Sequence, residues 1–578
     1  MTRRARLSGL LLSALATTVY GANDTKTFQE RCLSFKPDIY VQNSTLNVLE
    51  YVPSATNLTF PDNDPTCARA SQMAYADLCR VALSIPTSNR SSITFEMWLP
   101  ESWEGRTLAT GNGGIDGCVK YEDIAYGTAN GFSRFVTLLC DRSSSLCNPL
   151  NLATMIRALT DLQYKLIVAA LGTNNGHNGT YGNAFYHNED IVIDYAWVSL
   201  HTSVDVGKRL TTLFYGESAK KSYYIGCSLG GRQGIGSAEK FPEDFDGIVA
   251  GSPAVNFNSL YSWRARFFTV TGAPASEDFI AADTWKTTIH SEVLSQCDGI
   301  DGVLDGIIED PTLCHFQAER LLCGSTDNTT ADCLNPAQVQ KVETIFSNYL
   351  WPNGTVMYPG MQPGSEILAA DGLYSGQAFG PSTDWFRFAV LEDPSWRPAT
   401  YTLDDSLIAA QKNLGGIRTW PSSLAAFQSH GGKLLTFHGQ QDQQISSFNS
   451  ARFYGHLASG MGYSQEQMDE FYRLFRVPGM NHCSGGPGAW TIGQGGSDAA
   501  YGIPFDRAHN VLAAVVDWVE GGLPPDTITG TKFVNDSVSW GVAYQHRHCR
   551  YPSRSTYKGE GHDPLIEDSW ECRDAVVG

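Results

Sequence analysis

A parallel α/β sheet, interrupted between two of its strands by one long insertion, is the fold class that this sequence predicts. Three observations carry the prediction. From Ile93 onward, short apolar runs alternate with helix-like segments. That pattern dissolves after Gly251-Ser252-Pro253-Ala254 and returns at Lys433. A Gly-x-Ser-x-Gly core, Gly226-Cys227-Ser228-Leu229-Gly230, follows directly on the apolar run Ser222–Ile225. Strands alternating with helices are the mark of a parallel sheet. With 578 residues, 42% of them apolar and 17% charged, the chain can bury a large core and fill two domains.

In chain order, the first 22 residues read as a signal peptide. Arg3, Arg4 and Arg6 form its charged region, Leu7–Val19 its apolar region, and Val19-Tyr20-Gly21 a small-residue cleavage pattern. No later stretch approaches the twenty apolar residues that span a bilayer, so the expected product is secreted and soluble. Strands are expected at Ile93–Leu99, Arg106–Ala109, Leu166–Ala170, Ser222–Ile225 and Gly247–Ala250, with helices at Ala196–Thr212 and after Ser228. Residues 256–424, rich in aromatics, turns and cysteines and with helical stretches such as Pro336–Tyr349, form an inserted lid. Residues 23–255 and 425–578 then make up the sheet domain, completed by strands at Lys433–Phe437 and Phe471–Val477.

The Gly-x-Ser-x-Gly core defines the chemistry. In a nucleophile elbow the serine sits on a strained strand-to-helix turn, and small glycines are needed where neighbouring backbone passes close by. Ser228 would project at a helix head, where the Leu229 N–H can donate to a developing oxyanion. A base and an orienting acid must follow in the order Ser, Asp, His. Asp442 lies just past the run Lys433–Phe437, and His482 just past Phe471–Val477. Their plain alternatives are a solvated loop carboxylate and a satisfied loop histidine. His438 competes for the role of base but precedes the acid. These strand ends specify an α/β-hydrolase fold whose lid overhangs the active site and sets substrate choice. The loop Gly111-Asn112-Gly113-Gly114 is either a tight turn or the source of a second oxyanion donor, from the N–H of Gly114 with Gly113 as the near alternative. If Ser228 and His482 meet, Cys227 and Cys483 come within disulfide reach, to form either a bridge or two separate buried thiols. Asp298-Gly299-Ile300-Asp301-Gly302-Val303-Leu304-Asp305-Gly306-Ile307 is either a solvated acidic turn or a Ca²⁺ loop, and its spacing is not that of an EF-hand.

The formal charge of −19 argues against nucleic acid and anionic membranes as partners. No Gly-Lys-Ser/Thr ending or dinucleotide fingerprint supports an organic cofactor, and no His-x-x-x-His spacing supports a metallohydrolase. Fourteen cysteines fit an oxidising compartment. Eight Asn-x-Ser/Thr sequons, beginning at Asn23, Asn43, Asn57, Asn89, Asn178, Asn328, Asn353 and Asn535, suggest glycosylation.

The Cys227-Ser228, Asp442 and His482-Cys483 constellation resembles the fungal tannase and feruloyl esterase family. So do Thr110–Cys118, Gly172-Thr173-Asn174-Asn175-Gly176-His177, Gly251–Ala254, Cys297–Asp310 and Gly479–Cys483. Leu229 and the tail His548-Cys549-Arg550-Tyr551-Pro552 resemble the feruloyl esterase B branch. The resemblance implies Ser228 as nucleophile, Asp442 as acid and His482 as base. It also implies bridges Cys32–Cys79, Cys67–Cys118, Cys227–Cys483, Cys297–Cys314, Cys323–Cys333 and Cys549–Cys572, leaving Cys140 and Cys147 for a local bridge. A structural calcium is implied in the lid, held by Asp298, Asp301 and Asp305 side chains with the Val303 and Ile307 carbonyls. The implied substrate is a hydroxycinnamate ester, ferulate above all, on plant cell-wall sugar, with galloyl esters as the alternative. A noncatalytic calcium-dependent binding protein is the rival from another class. Lid aromatics Trp385, Phe386, Phe388 and Trp396 either line an aryl pocket or pack in the core, the latter being the stronger expectation. Residues 133–168 depart from the family pattern, as an insertion or, by preference, a translated intron, and leave the strand order near the oxyanion loop open.

Overall fold

A computed structural model describes residues 26–129, 167–324 and 333–574. The expected signal peptide, Cys140 and Cys147, all but the last two residues of 133–168, and the sequons at Asn23 and Asn328 lie outside the described residues.

One nine-stranded sheet organises the molecule. Its strands are β1 (Thr45–Val52), β2 (Leu78–Pro86), β3 (Ser92–Pro100), β4 (Arg106–Thr110), β5 (Ala169–Thr173), β6 (Lys221–Cys227), β7 (Gly247–Gly251), β8 (Lys433–Gly439) and β9 (Tyr472–Val477). They are arranged in the order β1-β2-β3-β5-β4-β6-β7-β8-β9. The six strands from β5 to β9 are mutually parallel, as the alternating pattern predicts. β1, β2 and β3 are antiparallel to their neighbours, β3 pairing with β5. Residues 53–77, with a short hairpin, connect β1 to β2, and a short loop connects β2 to β3. The strand expected at Ile93–Leu99 is β3, but it is antiparallel to both neighbours because it belongs to this meander and not to the parallel set. β5 lies between β3 and β4, which defines the strand order beside the Gly111-Asn112-Gly113-Gly114 loop.

Helix α1 (Ser199–Tyr215) covers the expected Ala196–Thr212 segment but starts later, because Asp194–Val198 forms a π turn. Helix α2 (Leu229–Lys240) follows Ser228. Residues 252–432 leave the sheet at the end of β7 and return at β8, which pairs with β7. This insertion contains α3 (Phe257–Thr271) and α4 (Pro336–Phe346). The helix expected to reach Tyr349 stops at Phe346, because Ser347 is extended and Tyr349 pairs with Tyr358 in a small hairpin. Helices α5 (Phe448–Met461) and α6 (Val511–Gly521) complete the layers over the sheet, followed by a hairpin of β10 (Thr527–Phe533) and β11 (Val542–Cys549).

Two apolar clusters fill the faces of the sheet, and a third fills the insertion. The third is continuous with the sheet domain. Ile115, Leu229 and Ala254 belong to the same cluster as Phe257, Trp385 and Ile445. At about 25 cal/mol per Å² of apolar surface, burial on this scale holds the inserted segment firmly against the strand ends. All six disulfides implied by the family resemblance are present, pairing Cys32–Cys79, Cys67–Cys118, Cys227–Cys483, Cys297–Cys314, Cys323–Cys333 and Cys549–Cys572.

Candidate active site

Ser228 lies between β6 and α2 with φ 64° and ψ −119°, a conformation that a non-glycine residue adopts at a cost of about 1–3 kcal/mol. Surrounding backbone enforces it. The Ser228 N–H donates to the Gly251 carbonyl (2.9 Å), and its own carbonyl accepts from the N–H groups of Arg232 (3.1 Å) and Ala254 (2.9 Å). Gly226 and Gly230 are required by this turn: a Cβ on Gly226 would lie 2.9 Å from the Gly230 carbonyl carbon, and one on Gly230 would press on Gly111 at 3.2 Å.

Asp442 follows β8 by three residues and is fully buried. Its Oδ1 accepts from the backbone N–H groups of Gln444 (2.8 Å) and Ile445 (2.9 Å). Its Oδ2 lies 2.7 Å from His482 Nδ1. Facing a carboxylate, Nδ1 carries the proton, which leaves Nε2 free to accept one. Burial pushes the Asp442 carboxyl up, but His482, together with His438, outweighs it and holds the group well below the usual carboxylate range. The two backbone amides on Oδ1 and the two imidazoles on Oδ2 favour the carboxylate form. Two glutamines fix the pair: Gln443 Oε1 accepts from the His482 N–H (3.0 Å), and Gln362 Nε2, from the insertion, donates to the Asp442 carbonyl (2.6 Å). The Cys227–Cys483 bridge joins the residues adjoining Ser228 and His482, with Cα atoms 6.0 Å apart. His438, the competing candidate for base, is buried with both ring nitrogens engaged.

The loop after β4 meets the head of α2. As the first residue of that helix, Leu229 has an N–H without an intrahelical acceptor. The Gly113 N–H points to Asp116 Oδ1 (3.3 Å), whereas that of Gly114 has no acceptor among the described residues. Gly114 has φ 49°, and the space where its Cβ would stand is open. Tyr195 and Tyr261, both buried, direct their hydroxyls to the Gly114 carbonyl at 2.7 and 3.3 Å. Asn112 anchors the loop by donating to the carbonyls of Cys118 (2.9 Å) and Thr173 (2.7 Å), while Gln233 Oε1 on α2 accepts from the Asn112 N–H (3.0 Å). Gln233 Nε2 also donates to Asn175 Oδ1 (3.0 Å), tying in the loop after β5. The tyrosines, Gln233 and Gln362 escaped the sequence reading because an uncharged polar residue carries no motif. Only its burial and partners give it a role.

The lid aromatics are core. Phe386 stacks on Trp396 with centroids 5.5 Å apart, and Phe388 packs against the same cluster. Trp385 is fully buried among Phe185, Phe257, Tyr195 and Tyr261, behind the two tyrosines that bond the Gly114 carbonyl.

The acidic loop is closed by Cys297–Cys314. Asp298 accepts from the Gly306 N–H (3.1 Å), Asp301 from Val303 (2.9 Å) and Asp305 from Ile307 (3.0 Å). Burial pushes the Asp301 carboxyl up to about 7, and the charges of Glu309, Asp305 and Asp298 add to the rise. Among the described residues no three His, Cys, Asp or Glu side chains converge as a metal-ligand group. Here each carboxylate turns to its own loop amide. The donor chemistry, crowded hard oxygens in a half-buried loop, nevertheless suits a calcium ion.

A sheet with six parallel strands, a serine elbow after the third of them in sequence and a buried Asp bonded to a partly exposed His at later strand ends define an α/β hydrolase. A profile described as tannase and feruloyl esterase matches residues 79–386 and 397–571. The chain is 52% identical over 524 residues to a probable feruloyl esterase B-2 of Aspergillus flavus, covering 91% of this chain and 93% of that one. It is 44% identical to a probable feruloyl esterase B-2 of Neosartorya fischeri, covering 98% and 99%. The crystal structure of feruloyl esterase B from Aspergillus oryzae superposes with a TM-score of 0.83 at 42% identity, covering 95% of this chain and all of that one. A tannin acyl hydrolase from Aspergillus niger shares the fold, with a TM-score of 0.65 at 21% identity and 95% of each chain covered. The protein belongs to the tannase and feruloyl esterase family and is a carboxylic ester hydrolase.

Proposed function

We propose that this protein is a secreted serine esterase that releases ferulic or related hydroxycinnamic acids from sugar esters of plant cell walls. The observation that carries the mechanism is the buried Asp442 carboxylate bonded to His482 Nδ1, with the next residue, Cys483, bridged to the neighbour of Ser228. His482 Nε2 takes the Ser228 proton as Oγ attacks the ester carbonyl. The oxyanion is received by the N–H groups of Leu229 and Gly114, the tetrahedral intermediate expels the sugar alcohol with the proton from His482, and water reverses the sequence to free the acid. Asp442 stays ionised and stabilises the imidazolium.

The cinnamate preference is supported by relatives named feruloyl esterase B that align over nearly the whole chain, whereas the tannin acyl hydrolase contributes only the fold. Initial rates on methyl ferulate, methyl caffeate and methyl gallate test it. Faster turnover of the two cinnamates is expected. Preference for gallate would make the protein a tannase, because buried donors for several ring hydroxyls reject a methoxylated ring.

Asp298, Asp301 and Asp305 with the Val303 and Ile307 carbonyls would hold Ca²⁺, which supplies positive charge to a crowded acidic loop and has a structural role. Adding Ca²⁺ to chelator-treated protein is expected to raise the melting temperature by a few degrees, since saturation at about 100 times Kd is worth roughly 2.7 kcal/mol. An unchanged melting temperature would remove the metal. Secretion is supported by the six disulfides, which suit an oxidising compartment, and by six described sequon asparagines that are all exposed: Asn43, Asn57, Asn89, Asn178, Asn353 and Asn535. Among the described residues no helix is long and apolar enough to cross a membrane.

A further inference from the structure

Asp442 Oδ2 serves two histidines. His482 Nδ1 approaches it at 2.7 Å from the open side, and His438 Nε2 at 3.2 Å from the interior. His438 lies on β8, fully buried. Its Nε2 also faces the Ile445 carbonyl at 3.2 Å, and its Nδ1 lies 2.7 Å from Ser450 Oγ on α5. Two acceptors face Nε2, so that nitrogen carries hydrogen whether the ring is neutral or cationic. A hydroxyl faces Nδ1 and can donate to the neutral ring or accept from the cationic one. The Asp442 carboxylate thus receives four donors: two backbone amides on Oδ1 and two imidazoles on Oδ2.

We propose that His438 is a positioning residue that holds Asp442 from behind and, by sharing Oδ2, lowers the basicity of His482. This inference rests on the reading of Asp442 and His482 as acid and base. A donor to Oδ2 draws charge from the oxygen that stabilises the His482 imidazolium, so the imidazolium gives up its proton at lower pH. The sign is the same for either protonation state of His438, because a cationic ring would also repel the imidazolium. The other ionisable groups around the pair do not bond the carboxylate. Tyr358, from the small hairpin, has its phenol pushed up by burial, with Asp442 contributing. Arg264 on α3 donates to the Gln444 carbonyl (2.9 Å), and Arg452 on α5 to the Val356 carbonyl (2.8 Å). Arg476 on β9 turns to Asp310 (2.8 Å).

The test is the pH profile of kcat/KM on methyl ferulate for two variants of the full chain. His438→Asn retains an amide where Nδ1 stood, to partner Ser450, but removes the donor to Asp442. His438→Gln can present an N–H near the Nε2 position. The acid limb of His438→Asn should move to higher pH by about half a unit, the shift expected from losing one hydrogen bond to the carboxylate. That of His438→Gln should stay close to wild type. A role confined to packing would lower activity evenly across pH, and an unmoved acid limb in His438→Asn overturns the proposal. If that variant does not fold, Ser450→Ala replaces it: freeing the ring at Nδ1 should shift the limb in the same direction, and no shift overturns the proposal equally. Ser228→Ala is run in parallel. Retained activity there would sink the acid–base reading itself, whereas its loss alongside an unmoved limb would sink only the role of His438.

Discussion

Ser228→Ala is expected to lower kcat on methyl ferulate by about 10⁵-fold or more, the scale on which serine hydrolases lose turnover without their nucleophile. The protein itself should remain as stable as before. Although Ser228 sits at the N-cap of α2, its side chain makes no capping hydrogen bond, so removing the hydroxyl leaves no helix amide without a partner. Its unfavourable φ is imposed by Gly251 and Ala254 through backbone hydrogen bonds that alanine also makes. A large loss of turnover with an unchanged melting temperature separates a nucleophile from a structural serine. Combining Ser228→Ala with His482→Ala should cost little more than either alone, because the two act as a unit. Full activity in Ser228→Ala would remove the mechanism altogether.

Replacing both Cys227 and Cys483 by alanine is expected to lower stability and turnover together. The bridge closes a loop with a sequence separation of 256, which the chain-entropy model values at about 5 kcal/mol. Cys483 also has φ 66°, a left-handed conformation in the residue next to His482 that the covalent link helps to hold. Without it, His482 should sample more positions, and kcat measured well below the melting temperature should fall by at least about tenfold, as small misplacements at a reacting centre do. The Cys549–Cys572 bridge is the control. With a sequence separation of 23 and no catalytic neighbour, its removal should cost about 3 kcal/mol and leave kcat unchanged. Equal kcat for the two double variants would mean that Cys227–Cys483 staples the fold but does not position the base.

The parts of the site legible in the sequence are those encoded locally. The run Ser222–Ile225 before a glycine-flanked serine, and the runs ending ahead of Asp442 and His482, are strands because they are short and apolar. The residue types at their ends are the ones that acyl transfer needs. Local information fails where an element is defined by a distant partner. β1 and β2 have no helical punctuation to announce them, and the antiparallel run of β3, expected as a strand at Ile93–Leu99, is set by its partners. The helical pattern at Pro336–Tyr349 runs on in sequence, but Tyr349 is claimed by Tyr358. Trp385 reads as core more readily than as pocket from the sequence, and Phe185, Phe257, Tyr195 and Tyr261 around it decide the matter.

By itself, the sequence determined the parallel sheet, the long insertion after β7 and the three side chains proposed to carry the reaction, because apolar periodicity and motif spacing are properties of short segments. The tertiary structure decided everything that depends on which groups meet: that Tyr195 and Tyr261 hold Gly114, that Gln362 reaches from the insertion to the acid loop, and that Asp442 is shared by two histidines. Most of these hydrogen bonds join residues tens to hundreds of positions apart, and only packing, which excludes water from buried polar groups, decides which of them meet.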